Sequence, residues 1–491
     1  MQPPNLIVND KIESLETWAH DILRFLPTLR NTLQPVNRLP PEIISYVARC
    51  ALNDNDRDAS SIIPLTHVCR YWRDSIVSTP ENWALICNER KRMAQLSLER
   101  SKAAPLVVFL VFRMDREFLN LLLPHVQRIT SLSCDGFYTL EELGQTFPNF
   151  PKSMPNIRSL VLKNGSGPAT QNHSVDPFHF SAHTTTLTEL SLSYVPLFPS
   201  ILSLKTLTKF TLDDPDFNLH IDTFLDFLEA NHSLETADIT IEFADAALRL
   251  SHRRKPIRTR LQHLSIAGFN GADIQTLLSG IALQKGATLS LKVYPCGEGA
   301  GLTRIFSGVS MAHFPNISSS TFMEYKHSPR KIQLRGPNGS FLFDGHIDSE
   351  TSFQDFPLLP LSSIRELRLE CRRSWILTDF RLSLFPSLEV LAIDGGSSIS
   401  FFPHEQSTSG STPSPLLKTL AFLDCVITED FMAILTRVAI HRKRGPSTSL
   451  QRVVIINSKG QFIPEASIES LMEHVPVVEL LYGREFPKDL V

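Results

Sequence analysis

The sequence predicts an α+β / α/β repeat protein: a small N-terminal helical unit followed by a curved solenoid of strands and helices. Three observations point there. Over residues 10–83, apolar side chains recur at three- and four-residue steps, the period of helices with one buried face. From about residue 126 the pattern changes to a strand-sized signature, apolar-x-x-apolar-x-apolar, which returns almost to the end of the chain. The length, 491 residues, is too great for one ordinary core and suits a small domain joined to an elongated array.

The first segment, residues 1–36, carries Ile12, Leu15, Ala19, Ile22, Leu23, Leu26 and Leu29 on an amphipathic helix over 10–33. Pro27 is expected to kink or break it. The second segment, 37–88, opens with "LPPEIISYVARCAL" (39–52). Its prolines sit where a first helical turn tolerates them, and Ile43, Ile44, Val47 and Ala51 form one apolar stripe. The polar stretch "NDNDRDASS" (53–61) interrupts it. A helix resumes at about 62 and runs through "LTHVCRYWRD" (65–74). There Leu65, Val68, Cys69 and Trp72, with Ile76 just beyond, share one face opposite Arg70, Arg73 and Asp74. "STPENW" ends it at Trp83. So large an apolar load on so short a segment cannot seal itself, and another surface, in the chain or outside it, completes it.

Residues 89–125 connect this unit to the repeats. Their longest apolar run, "APLVVFLVF" (104–112), is strand-sized and too short to span a membrane. The region 126–491 holds the recurring signature. Its copies are "ITSLSCDG" (129–136), "IRSLVLKNG" (157–165), "LTELSLSY" (187–194), "LTKFTLDD" (207–214), "LETADITIE" (234–242) and "LQHLSIAGF" (261–269). They resume with "IRELRLEC" (364–371), "LEVLAIDGG" (388–396), "LKTLAFLDC" (417–425), "LQRVVIINS" (450–457) and a partial "VVELLYG" (477–483). Most neighbouring copies start about 20–33 residues apart, near the leucine-rich-repeat period. Helical stretches at 221–233 and 427–444 lie between copies. A doubly wound α/β domain also alternates strand and helix, but the return of one short strand signature favours a stacked solenoid. An irregular insert is expected around 295–360, where "KIQLRG", like "ATLSLKVY" just before it, reads as a degenerate copy.

The segment 39–83 resembles an F-box. Leu39, Pro40 and Glu42 match its opening, Val68-Cys69-Arg70-Tyr71-Trp72-Arg73 its central block, and Trp83 its close. The loop at 53–61 makes it longer than a compact F-box. The resemblance implies binding to a Skp adaptor, and through it to the cullin and RING subunits of an SCF ubiquitin ligase. The C-terminal repeats would then hold a protein substrate. Carried over by position, Leu39, Pro40, Ile43, Ile44, Leu65, Val68, Cys69, Trp72 and Trp83 are expected at the adaptor interface or just behind it. Val47, Cys69 and Trp72 read equally well as core of the unit itself.

Alternation along each strand assigns one set of side chains to the core and the other to the concave face. Outward residues are polar in early strands, such as Glu189, Ser191 and Ser193, and turn apolar in late ones. Val390, Ala392, Ala421, Leu423, Val454 and Ile456 are therefore expected either to hold the substrate or to be covered by the chain's own tail or a loop.

A formal net charge of -3 forecasts neither nucleic acid nor membrane as the main partner. Seven cysteines, an odd number without a CxxC, point to a reducing compartment, cytoplasm or nucleus, and the start lacks the pattern of a secretory signal. No catalytic or cofactor motif is recognisable, so no cofactor or metal is expected. "GEGAG" (297–301) reads as a loop, His179 and His183 lack a third ligand, and the basic runs 251–260 and 441–445 read as solvated loop or helix end. The expected role is a non-catalytic substrate receptor, with a scaffold outside ubiquitylation as the alternative.

Overall fold

The computed structural model describes residues 4–52, 58–111, 116–137, 154–164, 186–195, 199–202, 204–214, 221–241, 256–268, 271–293, 302–306, 308–327, 330–345, 359–370, 382–395, 414–444, 448–456 and 463–481. It is an α/β chain: an N-terminal helical region, then long, mostly parallel sheet with helices. Two compact units divide it, residues 1–204 and 205–491.

The first unit begins with helix α1 (Pro4–Leu33), which contains Pro27, where a kink or a break was expected, without breaking there. Helix α2 (Pro41–Cys50) has Pro41 in its first turn, where a missing N–H leaves no bond unmade. The second predicted helix is not continuous. A short helix α3 (Ile63–Thr66) stops, residues 67–69 leave the helical path, and α4 (Arg70–Ser78) begins after an extended Cys69. Arg73 Nε donates to the Thr66 carbonyl at 3.1 Å, satisfying an acceptor that the break sets free. Leu65 and Val68 therefore do not share a helical face with Trp72.

Sheet begins earlier than the sequence suggested. Strand β1 (Leu85–Cys87) follows Trp83 directly, helix α5 (Lys91–Arg100) crosses over, and β2 (Leu106–Val111) pairs with β1 in parallel. Then β3 (Ile129–Phe137), β4 (Ser159–Asn164) and β5 (Glu189–Ser193) add in chain order, all parallel. A register shift near the end of β3 coincides with Gly136 at φ 88°, a left-handed conformation that glycine adopts without strain.

The second unit continues the same grammar. Strands β6 (Lys209–Asp214) and β7 (Thr236–Ile241) are parallel neighbours. A small separate pair, β8 (Ile257–Arg258) and β10 (Ile281–Ala282), flanks β9 (His263–Gly268) in sequence. β9 joins β7 and then β11 (Thr288–Val293). The insert is a genuine departure. β12 (Phe322–His327), β13 (Arg330–Gly336) and β14 (Gly339–Gly345) form an antiparallel meander, so "KIQLRG" is its reversed central strand rather than another parallel copy. A Cβ at Gly339 would collide with the Ala287 carbonyl, and its φ is 114°, so only glycine fits there. β14 pairs in parallel with β11, and β12 with β15 (Glu366–Glu370), so the direction of the sheet survives the insert. β16 (Val390–Asp394), β17 (Thr419–Leu423), β18 (Arg452–Ile456) and β19 (Val477–Leu481) complete the unit in parallel.

One face of these strands is an apolar ladder in register. Leu132, Leu160 and Leu190 align in the first unit, and Leu367, Leu391, Leu420 and Val453 in the second, all essentially fully buried. Each such side chain contributes about 1.5–3 kcal/mol relative to exposure. Helix Ile221–Ala230 packs Phe224 and Phe227 around Phe210, and helix Glu429–Arg444 sets Phe431 edge-on to Phe422 at 5.1 Å. A backbone device recurs between strands: one carbonyl accepts two consecutive amides of the next strand's start, as Arg158 does from Thr188 and Glu189, and Arg365 from Glu389 and Val390. The basic run 441–445 is not wholly solvated. Arg442 is buried and donates to the carbonyls of Ser414 and Leu417. No helix among the described residues is long and apolar enough to cross a membrane.

Candidate functional site

The helical unit at Leu39–Trp83 is built around a small core of Ile44, Ala48, Ala59, Ile62, Trp72, Ile76 and Trp83, joined by Met93 from α5. Polar groups pin it. Ser45 Oγ of α2 lies 2.7 Å from Thr79 Oγ1, beyond α4. Trp72 Nε1 donates to Asn37 Oδ1 at 2.7 Å, while Asn37 Nδ2 donates to the Asn31 carbonyl of α1. Tyr71 Oη donates to the Leu39 carbonyl at 2.6 Å, and Trp83 Nε1 to the Ile76 carbonyl at 3.1 Å. The Arg100 guanidinium stands over the Trp83 ring at 4.3 Å.

These contacts sort the expected adaptor residues into three groups. Ile44, Trp72 and Trp83 are core and lie behind the surface. Leu39, Leu65 and Cys69 are half-buried and rest on that core. Pro40, Ile43 and Val68 are exposed, the last two 44% and 53%. The single stripe expected on α2 is in fact two faces. Ile44 and Ala48 point inward, whereas Ile43 and Val47 are exposed, as is Ala51 just past the helix. Residues four apart share a face, and neighbours differ by about 100°. Val47 is therefore not core. Tyr46, 58% exposed, belongs with Ile43 and Val47. The i, i+3, i+4 spacing of Ile43, Tyr46 and Val47 was the signal for it. Asp58, at the edge of the polar loop, caps the following turn by accepting from Ser60 N at 2.9 Å; residues 53–57 lie outside the described residues.

The second candidate, the late-strand patch, is not an open surface. Ala392, Ala421, Leu423, Val454 and Ile456 are 0–3% exposed and pack on one another and on Leu481. Val390 is half-buried. These positions align across neighbouring strands, Ala392 with Ala421 and Val454, and Leu423 with Ile456. Five of the six are thus buried within this chain.

Beside that cluster, the same strand positions carry charge. Arg368 Nε is 3.5 Å from Glu324 Oε1 and its Nη2 3.9 Å from Asp394, while Lys326 Nζ lies 3.7 and 3.8 Å from Glu324 and Glu370. Arg452 and Glu479 form a two-bond pair at 2.9 and 3.0 Å on the far side. Burial pushes the Glu366 carboxyl upward, against the pull of Arg368 and Arg335. The sequence reading missed this lattice because β12, which supplies Glu324 and Lys326, sits in the irregular insert.

Among the described residues no group of His, Cys, Asp or Glu has the geometry to hold a metal ion. His179, His183 and "GEGAG" lie outside the described residues. No protein-family model matches the chain, and no curated protein matches it.

Proposed function

We propose that this chain is the substrate-recognition subunit of an SCF-type ubiquitin ligase, binding a Skp adaptor through residues 39–83 and a protein target through the strand-rich region. The observation that carries the reading is the exposed apolar set Pro40, Ile43, Tyr46, Val47 and Val68 on a unit whose own core is small. Such a surface gains by being covered, and the F-box-like order of residues names a candidate cover. The strand-rich region is read as a curved leucine-rich-repeat-like solenoid. In support, among the described residues the strands outside the meander pair in parallel and in chain order over three runs, β2 to β5, β6 through β7 to β9, and β15 to β19. The chain's role is proximity: it raises the target's effective concentration near a ubiquitin-loaded partner and performs no bond chemistry itself.

Co-purification of the full chain with Skp adaptor and cullin tests this, compared with a chain lacking residues 37–85. Capture of both by the full chain alone is expected. A folded full chain that captures neither overturns the reading. Capture of the adaptor without cullin points to a scaffold instead.

A further inference from the structure

In α1, Ile12, Leu15, Ala19, Ile22, Leu26, Leu29 and Leu33 are separated by steps of three, four, three, four, three and four. A straight helix turns every 3.6 residues, so a stripe with a strict seven-residue repeat slowly winds around it. A second helix wound along that stripe follows it for its whole length. These positions are the a sites (Ile12, Ala19, Leu26, Leu33) and d sites (Leu15, Ile22, Leu29) of three heptads. The seam is open in the single chain: Ile12, Leu15, Leu26, Leu29 and Leu33 are 45–63% exposed.

We propose that α1 is one strand of a parallel, two-stranded coiled coil whose other strand is α1 of a second copy of this chain. The flanking positions argue for this occupant. Lys11, Trp18 and Phe25 occupy g sites, and Glu16, Leu23 and Arg30 occupy e sites, all exposed. In a parallel pair each g residue meets the partner's e residue five positions further on. The resulting pairs are Lys11 with Glu16, Trp18 with Leu23, and Phe25 with Arg30: an ion pair, an apolar pair and a ring facing a guanidinium. An antiparallel pair sets g against g and e against e, which separates Lys11 from Glu16. Pro27 falls at a b site on the outer side, so it weakens the helix without entering the seam. This inference is independent of the function proposed above.

Light scattering on the full chain at micromolar concentration tests it. The expected mass is twice that of one chain. Leu15→Glu with Leu26→Glu should return it to one chain while leaving the melting of the remaining fold unchanged. Lys11→Glu alone, and Glu16→Lys alone, should each weaken association several-fold, and the two together should restore it. Leu15→Cys should crosslink two chains on mild oxidation, with the parent chain as control for its own cysteines. A monomeric parent overturns the proposal. So does a dimer whose association ignores the charge swap, or one in which Leu15→Cys crosslinks only to a chain carrying Leu26→Cys.

Discussion

The outer side of α2 and the late strands β16–β18 are built from similar residues and end in opposite environments. Ile43 and Val47 stay at the surface, whereas Ala421, Val454 and Ile456 are shut away. The difference is geometric. A ten-residue helix offers one face to its core and has no layer on the other side. A strand in a sheet has two faces, and mid-sheet neighbours about 4.8 Å away do not cover either of them. Val161 in β4 stays half-buried, whereas Ala421 and Val454 are at 0% exposure because other parts of the chain pack over that face. An apolar side chain that alternation points outward is therefore not by itself a docking site. The exposed positions worth testing are those whose element lacks a second layer.

The sharpest way to break this contrast is Val454→Asp. An unpaired carboxylate placed in the buried cluster should cost about 3–5 kcal/mol, read as a fall in denaturant midpoint or loss of soluble chain. A variant as stable as the parent would mean the late-strand face is open after all. A smaller effect is expected at Trp72→Phe. Loss of the Nε1 bond to Asn37, which is left short of a donor, should cost about 1–2 kcal/mol in the same assay. Ile43→Asp and Val68→Asp belong at the other end. Each should alter stability by less than about 0.5 kcal/mol yet weaken Skp capture at least tenfold, about 1.4 kcal/mol; unchanged capture would remove these residues from the interface.

The smallest effect concerns a half-buried polar group in neither region. Burial, and then Arg128, hold the His125 imidazole below its ordinary 6.5. Near that pH the native state binds fewer protons than the unfolded chain. Stability should be unaffected by this group above pH 6.5 and fall slightly as pH drops through it, until the native ring is also protonated. His125→Asn should flatten that part of the pH profile of the melting temperature.

Much of the architecture was legible beforehand. All eleven strand copies read from the signature fold as strands, because an alternation with leucines on one side has a single way to bury them. Two features were not legible. The antiparallel meander 322–345 also shows strand-like alternation, and nothing in alternation encodes direction. The break at 67–69 was hidden because Val68 and Cys69 continue a helical spacing that the backbone does not follow. In the candidate adaptor unit the residue types were read correctly as apolar. Which of Ile43 and Ile44 turns inward depends on where α4 and Trp83 pack, and spacing is silent about that.

By itself the sequence determined the elements and their periods: helices first, then a long run of parallel-type strands with a common apolar side. That information is local, carried by residues two to four apart. Only the tertiary structure decided which apolar side chains remain in water. The late-strand rows are covered and the outer face of α2 is not, because solvent exposure is set by packing among segments far apart in the chain.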